Sequence, residues 1–229
     1  TMKKIPLLGK NVEELKQVVL AYKLPAFTAK QIADWLYKKQ VRTIMDMTNL
    51  SMKAREILSA DYEVGVSDPA HISVSSDGTE KYLFPVGDGN KFIEAVYIPE
   101  KDRATLCISS QIGCQMNCLF CATGKQGFSG NLTTAEVLNQ VQSINHTEKL
   151  TNVVFMGMGE PLHNLDNVRK TISLLNDPQG QQIGIRRMTV STCGVVPKMR
   201  ELADEKLDIV MAVSLHAPND EQRSSVMPL

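Results

Sequence analysis

Ala104-Thr105-Leu106-Cys107-Ile108-Ser109-Ser110-Gln111-Ile112-Gly113-Cys114-Gln115-Met116-Asn117-Cys118-Leu119-Phe120-Cys121 is a short β-like run followed by a loop with three cysteines in eight positions. A strand that ends in a ligand-rich loop is the first half of a βα unit, and the same rhythm recurs downstream. Strands are expected at 104–109, 152–156, 188–192 and 209–215, and helices at 134–146, 165–176 and 197–206. Strands alternating with helices of this length imply parallel βα units, in a doubly wound sheet or a whole or partial barrel. Periodicity does not choose between these, but both architectures place their chemistry beyond the C-terminal ends of the parallel strands.

The residues before 104 read differently. Val12, Leu15 and Val19, then Ile32 and Leu36, recur at helical spacing over 12–22 and 29–40, and a third helix is expected over 51–59 behind Ser51. Residues 72–86 hold Ser76-Asp77-Gly78 between two β-like runs, and Gly87-Asp88-Gly89-Asn90 precedes a run over 92–98, the pattern of a hairpin or small meander. Three parts follow: helices over 1–60, a β-rich linker over 61–103 and an α/β core over 104–229.

The chain's 25 basic and 25 acidic residues are unevenly placed. Residues 1–60 carry eleven Lys and Arg against five Asp and Glu, whereas the remainder carries 14 against 20. A basic module before an acidic body suits a phosphate-rich partner, although solvated lysine faces are common on helical domains. No apolar run is long enough for a membrane helix, and no secretory leader pattern is present, so a cytoplasmic protein is expected. Crowded cysteines agree, because they suit reduced metal ligands better than a disulfide framework.

Cys114, Cys118 and Cys121 form a C-x-x-x-C-x-x-C run. Cubane iron–sulfur clusters usually take four Cys ligands, so a triad leaves one iron open. A structural zinc site needs a fourth Cys or His close by, and the next histidine, His146, falls on an expected helix. Polar or ligand-like groups also follow the other three strands: Gly157-Met158-Gly159-Glu160-Pro161, Ser191-Thr192-Cys193-Gly194 and Ser214-Leu215-His216-Ala217-Pro218. Each alone reads as a turn, a helix cap or a structural residue; together they mark one catalytic face.

The triad's spacing, with an aromatic before its last cysteine, resembles the signature of the radical-S-adenosylmethionine (SAM) superfamily. With Glu94-Ala95-Val96-Tyr97-Ile98-Pro99, Arg103-Ala104-Thr105-Leu106-Cys107 and the three strand-end motifs, the whole chain resembles the RlmN/Cfr family of dual-specificity RNA methyltransferases. That resemblance implies a partial (β/α) barrel of the radical-SAM type behind a small helical RNA-engaging domain and a β-hairpin linker. It implies a [4Fe–4S] cluster on Cys114, Cys118 and Cys121, and SAM contacts at Gly159, Glu160, Ser191, Ser214, Leu215 and His216. The implied reaction is methyl transfer to C2 of adenosine in 23S rRNA and tRNA through a methylcysteine, with Glu94 as proton acceptor, Cys107 as resolving cysteine and an external electron donor. A C8-methylating relative and a non-catalytic cluster- or zinc-bearing RNA-binding module are the alternatives.

The family's methyl-carrying cysteine lies near its C-terminus, beyond Leu229, and Cys193 belongs to the SAM-associated segment instead. A C-terminally truncated chain is therefore expected, monomeric, inactive alone, and from about Asn219 to Leu229 either mobile or held by a neighbouring molecule.

Overall fold

Seven strands make the central sheet of the computed structural model, which describes residues 3–228. Before that sheet, β1 (Ile5–Pro6) pairs in parallel with β2 (Tyr62–Glu63), so the two ends of a helical segment meet. Between them lie α1 (Val12–Ala21), α2 (Thr28–Ala33) and α3 (Met52–Asp61). Asn11 and Glu14 close a capping box on α1, and Ser51 accepts from the Ala54 N–H at the start of α3. The single helix expected over 29–40 is instead α2 followed by a π turn at Asp34–Lys38. That wider turn buries adjacent Leu36 and Tyr37 together, and the Tyr37 hydroxyl accepts from the Gly9 N–H at 3.0 Å and donates to the Lys10 carbonyl at 2.5 Å. A tertiary anchor of this kind overrides a regular 3.6-residue repeat.

The strands β3 (His71–Val74), β4 (Glu80–Val86), β5 (Lys91–Pro99) and β6 (Ala104–Cys107) form an antiparallel meander. A two-stranded ribbon, β7 (Gln111–Gly113) and β8 (Phe128–Asn131), then carries the cysteine loop and the short α4 (Ala122–Lys125). After it come α5 (Thr134–Gln142), β9 (Asn152–Phe155), α6 (Leu165–Asn176), β10 (Met188–Thr192), α7 (Val196–Asp204), β11 (Val210–Val213) and α8 (Asp220–Val226). Sheet order is β11-β10-β9-β6-β5-β4-β3, with β6, β9, β10 and β11 parallel. This is the expected partial barrel. Residues 61–103, set apart as a linker in the sequence, contribute three strands to this same sheet, since β5 pairs directly with β6.

One cluster of buried apolar side chains runs from Leu15 and Leu36 in the helical segment, through Val137 and Val141 of α5, to Leu106, Val153, Phe155 and Val190 in the sheet. Polar bridges join the same parts: Asn139 accepts from the Ser67 N–H at 2.9 Å, Gln142 donates to the Leu36 carbonyl at 3.0 Å, and Lys170 pairs with Glu14 at 2.7 Å. The chain's end folds back onto the cysteine loop. Residues 220–226 are helical, Met227 is buried, and the Val226 carbonyl accepts from the Leu119 N–H at 2.9 Å, so the cysteine loop holds this segment in place; Leu229 lies outside the described residues.

Candidate active site

The site lies at the C-terminal ends of the parallel strands. The cysteine loop rises there between β7 and β8, whose legs touch at Gly113: its φ is +72°, and a Cβ would sit 1.8 Å from the Gly127 carbonyl oxygen. Only glycine fits both constraints. Cys114 is buried, and Cys118 and Cys121 are half-buried. Burial pushes the Cys114 and Cys118 thiols up, and neighbouring cysteines of the triad add to both shifts. Among the described residues, no three Cys, His, Asp or Glu converge closely enough to hold a single ion. Three soft thiol donors on one loop suit a sulfur-ligated metal centre.

Beside this loop runs the turn after β9. Gly159 has φ +97°, and a Cβ there would lie 2.4 Å from the Gln111 Cβ, so backbone packs on side chain with no room between. Glu160 follows, buried to 3% exposure. Its Oε1 accepts from the Leu162 N–H at 3.1 Å, while Oε2 accepts from both the N–H and the thiol of Cys193 at 2.9 Å. Burial, then this carboxylate, push the Cys193 thiol far up, and so keep it protonated. The Gly157–Glu160 turn and the Ser191–Gly194 turn are therefore tied together side by side.

Ser191 lies on β10 opposite Ala212 of β11. Ser214 follows β11, and its N–H donates to the Thr192 carbonyl at 2.9 Å. Leu215 is 69% exposed, and His216, in the left-handed region at φ +55°, packs at a tilt of 39° against Phe120 of the cysteine loop with ring centroids 4.2 Å apart. Glu94 and Cys107 meet on adjacent strands. Val96 pairs with Cys107, so Glu94 lies on the same sheet face, two residues nearer the strand ends. Glu94 is half exposed beside Lys81 at 3.4 Å. Cys107 is pushed up by burial, an effect partly opposed by the Met156 backbone. The residues singled out in the sequence thus gather at one end of the sheet.

Missing from that set is a buried polar lattice beneath the site. The Ser109 hydroxyl donates to the Glu94 carbonyl at 2.7 Å and accepts from the Met158 N–H at 2.9 Å, joining the strand of Glu94 to the turn after β9. Gln140, fully buried on α5, caps both the N–H and the C=O of Ser109 at 2.8 and 2.9 Å. Gln111 accepts from the Glu160 N–H at 2.9 Å, and Asn164 donates to the Ser110 and Leu132 carbonyls at 2.7 and 2.8 Å. The available signal was Ser109-Ser110-Gln111 itself, three polar residues continuing a strand into the interior.

The family model described as the Radical SAM superfamily matches residues 108–228, from this lattice through the cysteine loop to α8. The chain belongs to the radical-SAM superfamily. Members of that superfamily use a [4Fe–4S] cluster and SAM, and the donor set found here fits that pair. Residues 5–64 match the ribosomal RNA large subunit methyltransferase N-terminal domain. A probable dual-specificity RNA methyltransferase RlmN of Bacteroides thetaiotaomicron is 52% identical over 227 residues, covering 99% of this chain and 65% of that protein. A dual-specificity RNA methyltransferase RlmN of Geotalea uraniireducens is 46% identical over 228 residues, covering 100% and 66%. The crystal structure of a radical SAM methyltransferase from Sphaerobacter thermophilus superposes with a TM-score of 0.92 at 38% identity, covering 98% of this chain and 67% of that one. The chain therefore spans about two thirds of the length of these relatives.

Proposed function

We propose that this chain is the cluster- and SAM-binding part of an RNA methyltransferase that modifies C2 of adenosine in 23S rRNA and tRNA. The observation that carries this reading is the placement of Glu94 and Cys107 on one sheet face, with the Ser109 hydroxyl tying the strand of Glu94 to the glycine turn after β9. When bound, the cluster and SAM supply one-electron chemistry that reaches a carbon no ordinary nucleophilic transfer would methylate.

The chain's own residues then have these roles. Cys114, Cys118 and Cys121 hold the cluster. Gly159 lets backbone approach SAM, and Glu160, Ser191, Ser214, Leu215 and His216 surround it. Half-exposed Glu94, paired with Lys81 at 3.4 Å, takes the proton leaving the base. Cys107, kept protonated by burial, is the thiol that releases the product. The helical domain meets RNA phosphates with exposed residues such as Lys30 and Lys38; Lys39 and Arg42 are partly engaged already, with Asp34 at 3.2 Å and Asp68 at 2.7 Å. Exposed pairs of this kind are weak enough to exchange for phosphate.

Anaerobic reconstitution of this chain tests the ligand set: Cys118→Ala should abolish the cluster's visible absorbance and Cys107→Ala should leave it. A chain extended to the length of its relatives, given reductant, SAM and unmodified 23S fragment, should form 2-methyladenosine, and Glu94→Gln and Cys107→Ala should not. Formation of 8-methyladenosine instead would assign the C8 reaction, and SAM left uncleaved would assign a binding module. In salt titrations, neutralising Lys30, Lys38, Lys39 and Arg42 together should weaken RNA binding and flatten its slope.

A further inference from the structure

Arg223 is a half-buried cation with no role in the chemistry above. It belongs to α8, which Asn219 starts by accepting from the Gln222 N–H at 2.9 Å. Its Nη2 donates to the Cys193 carbonyl and, at 3.0 Å, to the Ser214 carbonyl, so the guanidinium bridges the ends of β10 and β11. Both acceptors are neutral. Among the described residues no carboxylate lies within ion-pair distance of it; Arg55, Arg187 and Arg200 lack one too, Arg187 and Arg200 being exposed to solvent, whereas Arg42, Arg103, Arg169 and Arg186 have one or more. Carbonyls satisfy its N–H groups but not its charge, and a partly desolvated charge without a counter-ion is costly.

The position of the guanidinium supplies a candidate anion. Ser214, whose carbonyl it also grips, stands two residues before His216, and the His216 ring packs against Phe120, between Cys118 and Cys121 in the cysteine loop. The last turn of α8 accepts from Leu119, next to Cys118. Gly194 keeps the path open: with φ +108°, it would place a Cβ 3.2 Å from Nη2.

We propose that Arg223 is the fixed counter-charge of the cluster held by Cys114, Cys118 and Cys121, and that it raises the cluster's reduction potential. The inference rests on the reading of that triad as the cluster's ligand set. One electron arrives from a low-potential donor, no bond forms or breaks, no proton moves, and the three thiolates keep their charges. The site therefore becomes more negative by one elementary charge, and a stationary cation stabilises the reduced state over the oxidised one. Electron entry is thus made easier where SAM is to be cleaved.

The competing role is a plain staple across two strand ends, and two substitutions separate them. Arg223→Gln keeps an amide donor for a carbonyl but removes the charge; Arg223→Lys keeps the charge but loses the planar fork. Each protein is reconstituted anaerobically, its iron and sulfide are quantified, and its midpoint potential is measured by dithionite titration with paramagnetic resonance detection. The expected result is a shift to more negative potential in Arg223→Gln and a small shift in Arg223→Lys, with similar losses in melting temperature. Loss of iron in the glutamine variant alone also supports the charge. Equal potentials in wild type and Arg223→Gln, equal shifts in both variants, or loss of iron in both would overturn it. A wild-type chain that binds no cluster, or keeps one without the triad, would sink the ligand assignment instead.

Discussion

On β5, Ile93, Ala95 and Tyr97 are buried while Glu94 and Val96, between them in sequence, are half exposed. Strand β6 repeats this with Leu106 and Cys107, β9 with Phe155 and Val154, and β10 with Val190 and Ser191. Alternation puts successive side chains on opposite faces, so one set of strands builds two unlike surfaces. The closed face is apolar and packed against the helices. The open face carries a carboxylate, a thiol and a hydroxyl with little packed upon them, so the closed face supplies the stability that lets the open one be chosen for chemistry.

The sharpest way to break that division is at β9. Phe155→Ala on the closed face should cost about 3–5 kcal/mol, read as a lower urea midpoint, whereas Val154→Ala on the open face should cost about 1 kcal/mol or less. Equal losses would mean that both faces are cores. Next in size is the lattice between the faces: Ser109→Ala leaves the Glu94 carbonyl and the Met158 N–H without their shared hydroxyl, for a loss of about 1–3 kcal/mol. Its SAM affinity should fall as well, and unchanged affinity would separate the lattice from the site.

The thiols give a smaller effect, set by pH. Burial raises the Cys107 thiol above its ordinary value, so at pH 8 it carries less thiolate than a free cysteine, and its alkylation should lag behind glutathione and catch up as pH rises. An ordinary alkylation profile, followed by peptide mass spectrometry, would show that the open face is wetter than its geometry states. The smallest change expected is from Glu94→Gln, which removes an exposed pair with Lys81; a loss under about 1 kcal/mol in melts would agree with its screening by solvent. A larger loss would make Glu94 structural, and count against the proposal that it accepts a proton.

Much of the framework was legible because its signals are local. The strand at 188–192 and the helix at 165–176 are found where periodicity put them, and the triad was visible as crowding of one residue type. Long-range partners were not legible. Gln140 reaches Ser109 across 31 residues, Gln111 reaches Glu160 across 49, and Asn164 reaches Ser110 across 54. The π turn at 34–38 was missed for the same reason, since Gly9 and Lys10 hold it, and so was the helix at 220–226, whose end rests on the cysteine loop.

By itself, then, the sequence determined most of the strands and helices of the core, which loop gathers soft donors, and that Glu94 and Cys107 alternate with apolar neighbours. Only the tertiary structure decided which face of the sheet is left open, that Glu160 is tied to Cys193, and that Arg223 faces neutral carbonyls near Cys118. The physical reason is that periodicity is a property of a chain with itself. A buried hydrogen bond or an unmatched charge depends instead on which strand ends the fold makes neighbours.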